Sequence, residues 1–292
     1  MATILLVDDN PDFLKTIKDL LSDELSGDRV VTAASPEDAM TKLEKFMPEV
    51  VVTDMRMDEE RSGLELVNYI RRRSPSSMVI LLTEYSSIED AVTCIRAGCF
   101  EYLDKNSGDL LRAIREAKDL AGADRDGLNE ILVHWHILKR AETSAAKGSS
   151  LEELCASIFQ TIPGWNKIRR QEKTPSEEID LVLRNESQDP YWRHYKSLIL
   201  VECKNWSKKR PGRDQFDSFY SKILRKGNED CRLGFFVSLN GVAKTFEREI
   251  DRIAKEEIVI VTLNKNELWE IICSNDRSEV FKRFVEDSIL GR

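Results

Sequence analysis

The 292-residue chain reads as an α/β protein of two domains joined by a helical connector. Three observations lead there. Residues 1–121 hold five short apolar runs alternating with helical patterns, the signature of a doubly wound (βα)5 parallel sheet covered on both faces. From about residue 149 the order changes to a helix, three strands, and then helix, strand, helix, strand, with an amphipathic tail. The length gives each part enough residues to bury its own core.

In the first part the expected strands are Thr3–Val7, Arg29–Ala33, Glu49–Thr53, Met78–Thr83 and Glu101–Leu103. Phe13, Ile17, Leu20 and Leu21 recur at helical spacing. Ser35 followed by Pro36, Glu37 and Asp38 is an N-cap, a proline at the first helical position and acid in the first turn. Ser107 is expected to cap the last helix, which buries Leu110, Leu111 and Ile114. In such a sheet, ligands sit at the carboxyl ends of the strands. Asp8 and Asp9 end the first strand, Asp54 the third and Thr83 the fourth, and Lys105 follows the fifth. Three carboxylates, a hydroxyl and an ammonium make a pocket for Mg²⁺ beside a phosphate-sized space.

These residues, in register over the whole of 1–121, resemble a two-component response-regulator receiver domain of the flavodoxin-like fold. The resemblance implies Asp54 as phosphoacceptor and Asp8 and Asp9 as metal ligands beside it. It also implies that Thr83 and Lys105 engage the phosphoryl group, that Tyr102 is the aromatic that follows Thr83, and that a histidine kinase or phosphotransfer protein is the donor. Asn106 departs from the proline usual after the lysine, and Asp58 from the proline that often follows the position of Met57. Acidic Asp58, Glu59 and Glu60 near the pocket would slow phosphorylation, and a receiver that is never phosphorylated is the alternative.

Residues 122–148 are expected as the connector. Leu128, Ile131, Leu132, Trp135 and Leu138 form one apolar stripe, and Gly148-Ser149-Ser150 is expected to end this helix and cap the next. Packing against a domain and self-association of two connectors both account for the stripe. His134 and His136 are two apart on a helix and share no face, which argues against metal ligation by the pair.

In the second part, 149–292, Leu151, Leu154, Ile158 and Phe159 mark the first helix, and Trp165–Arg170, Glu178–Arg184 and Leu198–Lys204 are expected as strands. Phe216, Phe219, Tyr220, Ile223 and Leu224 mark the next helix. Cys231–Leu239 and Glu257–Leu263 are expected as buried strands around a helix at KTFEREIDRIAKE. The stretch LILVECKNW ends an apolar strand on Glu202 and Lys204, which share a face because they are two apart. Charges in that position are costly unless water, a metal or each other satisfies them. Asp180, expected inside the preceding strand, supplies a third charge. A strand-end salt bridge is the plainer reading of Glu-x-Lys alone.

The element order, Asp180, Glu202-x-Lys204, and Gln215 at the next helix start resemble the PD-(D/E)xK restriction-endonuclease-like fold, closest to its Mrr-like branch. The later GFFVSLNGVAKTFEREID stretch extends the likeness over most of 149–272. It implies an α/β domain with a mixed sheet in which Asp180 and Glu202 hold Mg²⁺. Lys204 would position or activate the attacking water, Gln215 would support the site, and Glu152 would add an acid from the first helix, with Glu153 an equal candidate. Ile179 stands where the motif has proline.

Charge divides the chain the same way. Residues 1–121 carry 24 acidic and 15 basic side chains, net −9, whereas the remainder carries 28 and 29, net +1. Only the second half suits nucleic acid. Its basic clusters are Lys167, Arg169 and Arg170, and then Lys208, Lys209, Arg210 and Arg213 after the Glu-x-Lys strand. No apolar run is long enough for a membrane span, MATILLVDD lacks the basic region of a signal peptide, and six scattered cysteines without a CxxC pair suit reduced core thiols in a cytoplasmic protein. The resulting expectation is a response regulator with a Mg²⁺-dependent nuclease output acting on DNA, RNA being possible, as a homodimer. The alternative is a signalling protein whose nuclease-like domain binds nucleic acid or a protein without cutting.

Overall fold

The computed structural model describes residues 1–57, 62–84, 88–120, 127–141, 143–167, 179–206, 209–227, 230–253 and 257–291. Asp58, Glu59, Glu60, Arg169, Arg170 and Lys208 lie outside the described residues. The chain divides into two compact units, Met1–Ala123 and Asp124–Arg292.

The first unit alternates β1 (Thr3–Val7), α1 (Pro11–Glu24), β2 (Arg29–Ala33), α2 (Pro36–Phe46), β3 (Val50–Asp54), α3 (Ser62–Arg73), β4 (Met78–Thr83), α4 (Ile88–Arg96), β5 (Glu101–Asp104) and α5 (Leu110–Asp119). The sheet order is β2-β1-β3-β4-β5, with every pair parallel. β3 and β4 are buried along their whole length, which is why they read as unbroken apolar runs. Asn10 caps α1 by accepting from the amides of Asp12 and Phe13, and Ser35 caps α2 through Asp38. The buried stripe of α1 is Leu14 and Leu21, and Leu20 faces solvent instead. Asp109, not Ser107, holds the cap position of α5, and Ser107 accepts from the Asp109 amide.

The second unit runs α6 (Leu128–Arg140), α7 (Ser144–Phe159), β6 (Trp165–Lys167), β7 (Leu181–Asn185), α8 (Pro190–Arg193), β8 (Leu198–Cys203), α9 (Arg213–Gly227), β9 (Cys231–Val237), α10 (Lys244–Ile253), β10 (Val259–Leu263), α11 (Lys265–Cys273) and α12 (Arg277–Leu290). Its sheet order is β10-β9-β8-β7-β6. β10, β9 and β8 are parallel, and β8–β7 and β7–β6 are antiparallel, which makes the sheet mixed.

The apolar stripe of α6 is buried inside this second unit. α6 packs on α7, and the Trp135 ring lies 5.3 Å from that of Trp269 on α11. That packing leaves no free seam for self-association through Leu128, Ile131, Leu132, Trp135 and Leu138. α6 ends at its cap Ala141, and α7 starts from Thr143 rather than at Gly148-Ser149-Ser150, because Thr143 caps α7 through the Ala146 amide. The helix then runs through the glycine, with Ser150 Oγ donating to the Ala146 carbonyl. Leu224 of α9 is exposed, outside the buried face of Phe216, Phe219 and Ile223. α11 carries a signal the periodicity does not expose: Asn264 and Glu267 form a capping box. Among the described residues the cysteines form no disulfide, and five of the six are buried.

Candidate functional site

Two clusters of carboxylate and lysine stand at strand ends, one in each unit. In the first, β1 delivers Asp8 and Asp9, β3 delivers Asp54, β4 delivers Thr83, and Lys105 follows β5. Lys105 Nζ donates to Asp8 Oδ2 at 2.8 Å and to Asp54 Oδ2 at 2.9 Å, and it sits 4.6 Å from the centre of the Phe13 ring. Burial alone would lower the Lys105 pKa, but the hydrogen bonds and charges of Asp54 and Asp8 more than offset it and hold the pKa above its ordinary value. Asp8, Asp9 and Asp54 offer oxygens that all lie within 4.8 Å of one another, the one such group of three among the described residues. They open on a cavity of about 250 Å³ that Thr83 and Lys105 also line. This all-oxygen donor set, partly open to water, fits Mg²⁺. Tyr102 is buried in the core beneath, in one cluster with Ala91 and Cys94 of α4.

A residue that sequence reasoning passed over shapes this pocket. A Cβ built on Gly63 would lie 2.0 Å from the Asp54 carbonyl oxygen, so the start of α3 approaches the back of the aspartate as only glycine allows.

In the second unit, Glu202 is the penultimate residue of β8, and Lys204 follows just beyond the strand. Asp180 lies not within a strand but immediately before β7. There its Oδ2 accepts from the Cys203 amide at 2.7 Å, tying the two strand ends together. Lys204 Nζ is 2.7 Å from Glu202 Oε1 and 4.0 Å from Asp180 Oδ2, so all three sequence-predicted charges converge. Burial, and then the charge of Glu202, raise the Asp180 pKa against the Cys203 amide and the two lysines. Burial works against the Lys204 ammonium, yet Glu202 and Asp180 raise its pKa overall. Two carboxylate oxygens of this kind fit one face of a Mg²⁺ ion that keeps several waters.

The other expected residues are placed less centrally. Gln215 Oε1 accepts from the Gly212 amide at 2.9 Å and so braces the entry to α9. Glu152 is half-buried on α7. A hydrogen bond with Cys155 and burial push the Cys203 thiol up, and the charges of Asp180 and Glu152 add to this, so Glu152 is felt at the same strand end. Arg213 pairs with Asp217 and Glu249. Lys209 and Arg210 line a cleft of about 690 Å³ with Asn240 and Lys265, at the carboxyl ends of β9 and β10. Asn240 Nδ2 donates to the Trp206 carbonyl, which ties that cleft to the loop after β8.

One cation was not anticipated. Lys222, from the middle of α9, donates to Glu202 Oε1 at 3.0 Å and Oε2 at 2.9 Å. A lone lysine inside a helical pattern carries no sequence signal that separates it from a solvated one.

Comparison with known proteins matches each unit to a family. Residues 4–115 match the response regulator receiver domain family, and residues 143–272 match a restriction endonuclease family. The transcriptional regulatory protein GlrR of Escherichia coli K12 is 36% identical over 127 residues, 43% of this chain and 28% of that protein. The photosynthetic apparatus regulatory protein RegA of Cereibacter sphaeroides is 28% identical over 141 residues, 47% of this chain and 75% of that one. A receiver domain structure from Clostridium thermocellum, 35% identical, covers 40% of this chain and 94% of its own, with a TM-score of 0.37. The chain spans 28% of the length of GlrR and 22% of PilR, the Pseudomonas aeruginosa response regulator. Among the described residues no helix is long and apolar enough to cross a membrane. The chain thus joins a response-regulator receiver domain to a domain of the restriction endonuclease family.

Proposed function

We propose that this protein is a response regulator whose output is a Mg²⁺-dependent nuclease acting on DNA, controlled by phosphorylation of Asp54. The observation that carries the reading is the convergence of Asp180, Glu202 and Lys204 at the ends of two paired strands, in the domain that matches the restriction endonuclease family. A Mg²⁺ held by Asp180 and Glu202 would supply an acidified water and neutralise charge on the transition state. Lys204 is an ammonium in this setting, since its neighbours raise its pKa. With Mg²⁺ on the two carboxylates, Lys204 would position or activate the attacking water and stabilise charge on the phosphorane oxygens. Lys209 and Arg210 would hold the DNA backbone.

In the receiver, Asp54 takes the phosphoryl group from a histidine kinase or phosphotransfer protein, Asp8 and Asp9 hold Mg²⁺, and Thr83 and Lys105 draw the phosphoryl oxygens inward with Tyr102 following. One centre cuts one strand, so double-strand cleavage calls for two copies acting together in the cytoplasm. A second reading, binding without cutting, draws support from the two ammoniums already on Glu202. Incubation of the full chain with supercoiled plasmid and Mg²⁺ separates the two. Nicked or linear product that Lys204→Ala does not make supports the nuclease, and intact plasmid with retained DNA binding supports the alternative.

A further inference from the structure

At the end of β8, Asp180 and Glu202 are paired with Lys204 and Lys222, with Glu152 near by. Both oxygens of Glu202 are engaged, Oε1 by Lys204 and Lys222, and Oε2 by Lys222. The carboxylate is 5% exposed and the two lysines 28% and 17%, so water screens these pairs weakly. A divalent ion on Glu202 would need an oxygen at about 2.0–2.1 Å, and an ammonium cannot share that oxygen at hydrogen-bond distance without strong cation–cation repulsion.

The placement of Lys222 is built in. β8 and β9 pair with Leu200 opposite Gly234 and Glu202 opposite Phe236. A Cβ on Gly234 would come within 2.6 Å of Ile223 Cδ1 and 2.9 Å of Phe219 Cζ, so the missing side chain lets α9 lie close to the sheet. That approach brings the four-carbon stem of Lys222 over the Leu200–Glu202 face of β8. Lysine is a compact charge on a flexible chain, able to leave without unfolding its helix.

We propose that Lys222 is an internal stand-in for the metal, a positioning residue that occupies the cation position of the Asp180–Glu202 pair and must be displaced before a divalent ion binds. The inference rests on the nuclease reading and names how that site is gated. Lys204 bridges the two carboxylates, 2.7 Å from Glu202 and 4.0 Å from Asp180, and stays in place while Lys222, whose ion pair is with Glu202, yields. The protein therefore folds with its acidic pair neutralised, and metal binding is an exchange of one cation for another rather than the filling of a bare acidic hole.

The test uses the full chain carrying Asp9→Asn and Asp54→Asn, which remove two carboxylates from the receiver pocket. Free Mn²⁺ is measured by EPR, and melting is followed with EDTA or with Mn²⁺. Lys222→Met should bind Mn²⁺ about tenfold more tightly or better, melt lower in EDTA, and recover with Mn²⁺. Lys222→Arg, which keeps the charge, should bind no more tightly than the parent, and adding Asp180→Asn to either should abolish the site. Binding by Lys222→Met equal to or weaker than the parent, with the Asp180-dependent site intact, overturns the stand-in role. No Asp180-dependent Mn²⁺ site in any of these proteins removes the metal site and the inference with it. Tightened Mn²⁺ binding, with no plasmid cleavage by the chain whose Asp9 and Asp54 are intact, either with or without beryllofluoride, upholds the inference and sinks the nuclease reading instead.

Discussion

The two strand-end clusters are built from the same parts and balanced differently. In the receiver pocket, among the described residues, Lys105 is the one lysine paired with the acids, facing a group of three carboxylates with Arg56 also lining the cavity. At the end of β8, two lysines face two carboxylates. The first is left short of positive charge and is ready for a cation. In the second, Glu202 already carries two ammoniums, and on the proposal above a divalent ion there would have to replace one. Counting carboxylates is thus a poor guide to metal affinity unless the lysines that reach them are counted too.

The largest expected effect tests whether the two lysines that follow strands act alike. Lys204→Ala should lower plasmid cleavage by about 10²–10³-fold while Mg²⁺ binding by the receiver is unchanged, as read by cleavage assay and by metal titration. Lys105→Ala should leave basal cleavage intact and remove any response to a phosphoryl mimic. That response is itself the next test. Beryllofluoride should change the cleavage rate several-fold in the parent and not in Asp54→Ala, and equal rates in all four conditions would separate the halves functionally.

Gly63→Ala should cost the receiver about 1–3 kcal/mol through overpacking against the Asp54 backbone, seen as a lower melting temperature and slower acceptance of phosphoryl groups. Neutralising Lys209 and Arg210 should flatten the salt dependence of DNA binding by roughly 0.9 per charge removed, with little change in metal binding. An unchanged slope would mark both as solvated side chains.

The smallest effect contrasts the two sites by pH. The Asp180 pKa is raised in the fold, so the protonated form contributes stability below the ordinary value of 3.8 that is lost as pH rises through the folded value. Asp180→Asn should therefore melt slightly higher than the parent at neutral pH in EDTA, and lose that advantage in Mg²⁺. The Lys105 pKa is raised above 10.5, so its stabilisation is present below that value and fades only as pH rises through the folded value. Melting curves of the parent and each variant across pH check both signs.

Residues at the ends of apolar strands were the most legible from sequence. Asp8, Asp54, Thr83, Glu202 and Lys204 each interrupt a run of buried side chains, and a charge there needs a reason. Asp180 was found, though the strand starts one residue after it, because a polar residue entering a strand looks like one within it. Lys222 and Gly63 were illegible for a shared reason. Each matters through a partner distant in sequence, Glu202 for the one and Asp54 for the other, and nothing local distinguishes an inward lysine or a pressed glycine. The α6 stripe had two physical explanations, and the Trp135–Trp269 contact selects the plainer one. Gly148-Ser149-Ser150 suggested a break, but burial of Leu151, Leu154, Ile158 and Phe159 holds α7 helical through these residues.

The hydrogen bond from the Cys203 amide to Asp180 has a consequence for when any chemistry can begin. Leu181 pairs with Val201 across the antiparallel strands, and a slip of one residue would turn Glu202 and Lys204 to the opposite side of the sheet. The acid on one strand end and the acid–base pair on the other meet only in the correct register. A partly folded or newly synthesised chain therefore holds its reactive groups apart. For the nuclease proposed above, correct strand alignment would act as a safety catch, releasing its activity only after folding has been checked by the site's own assembly.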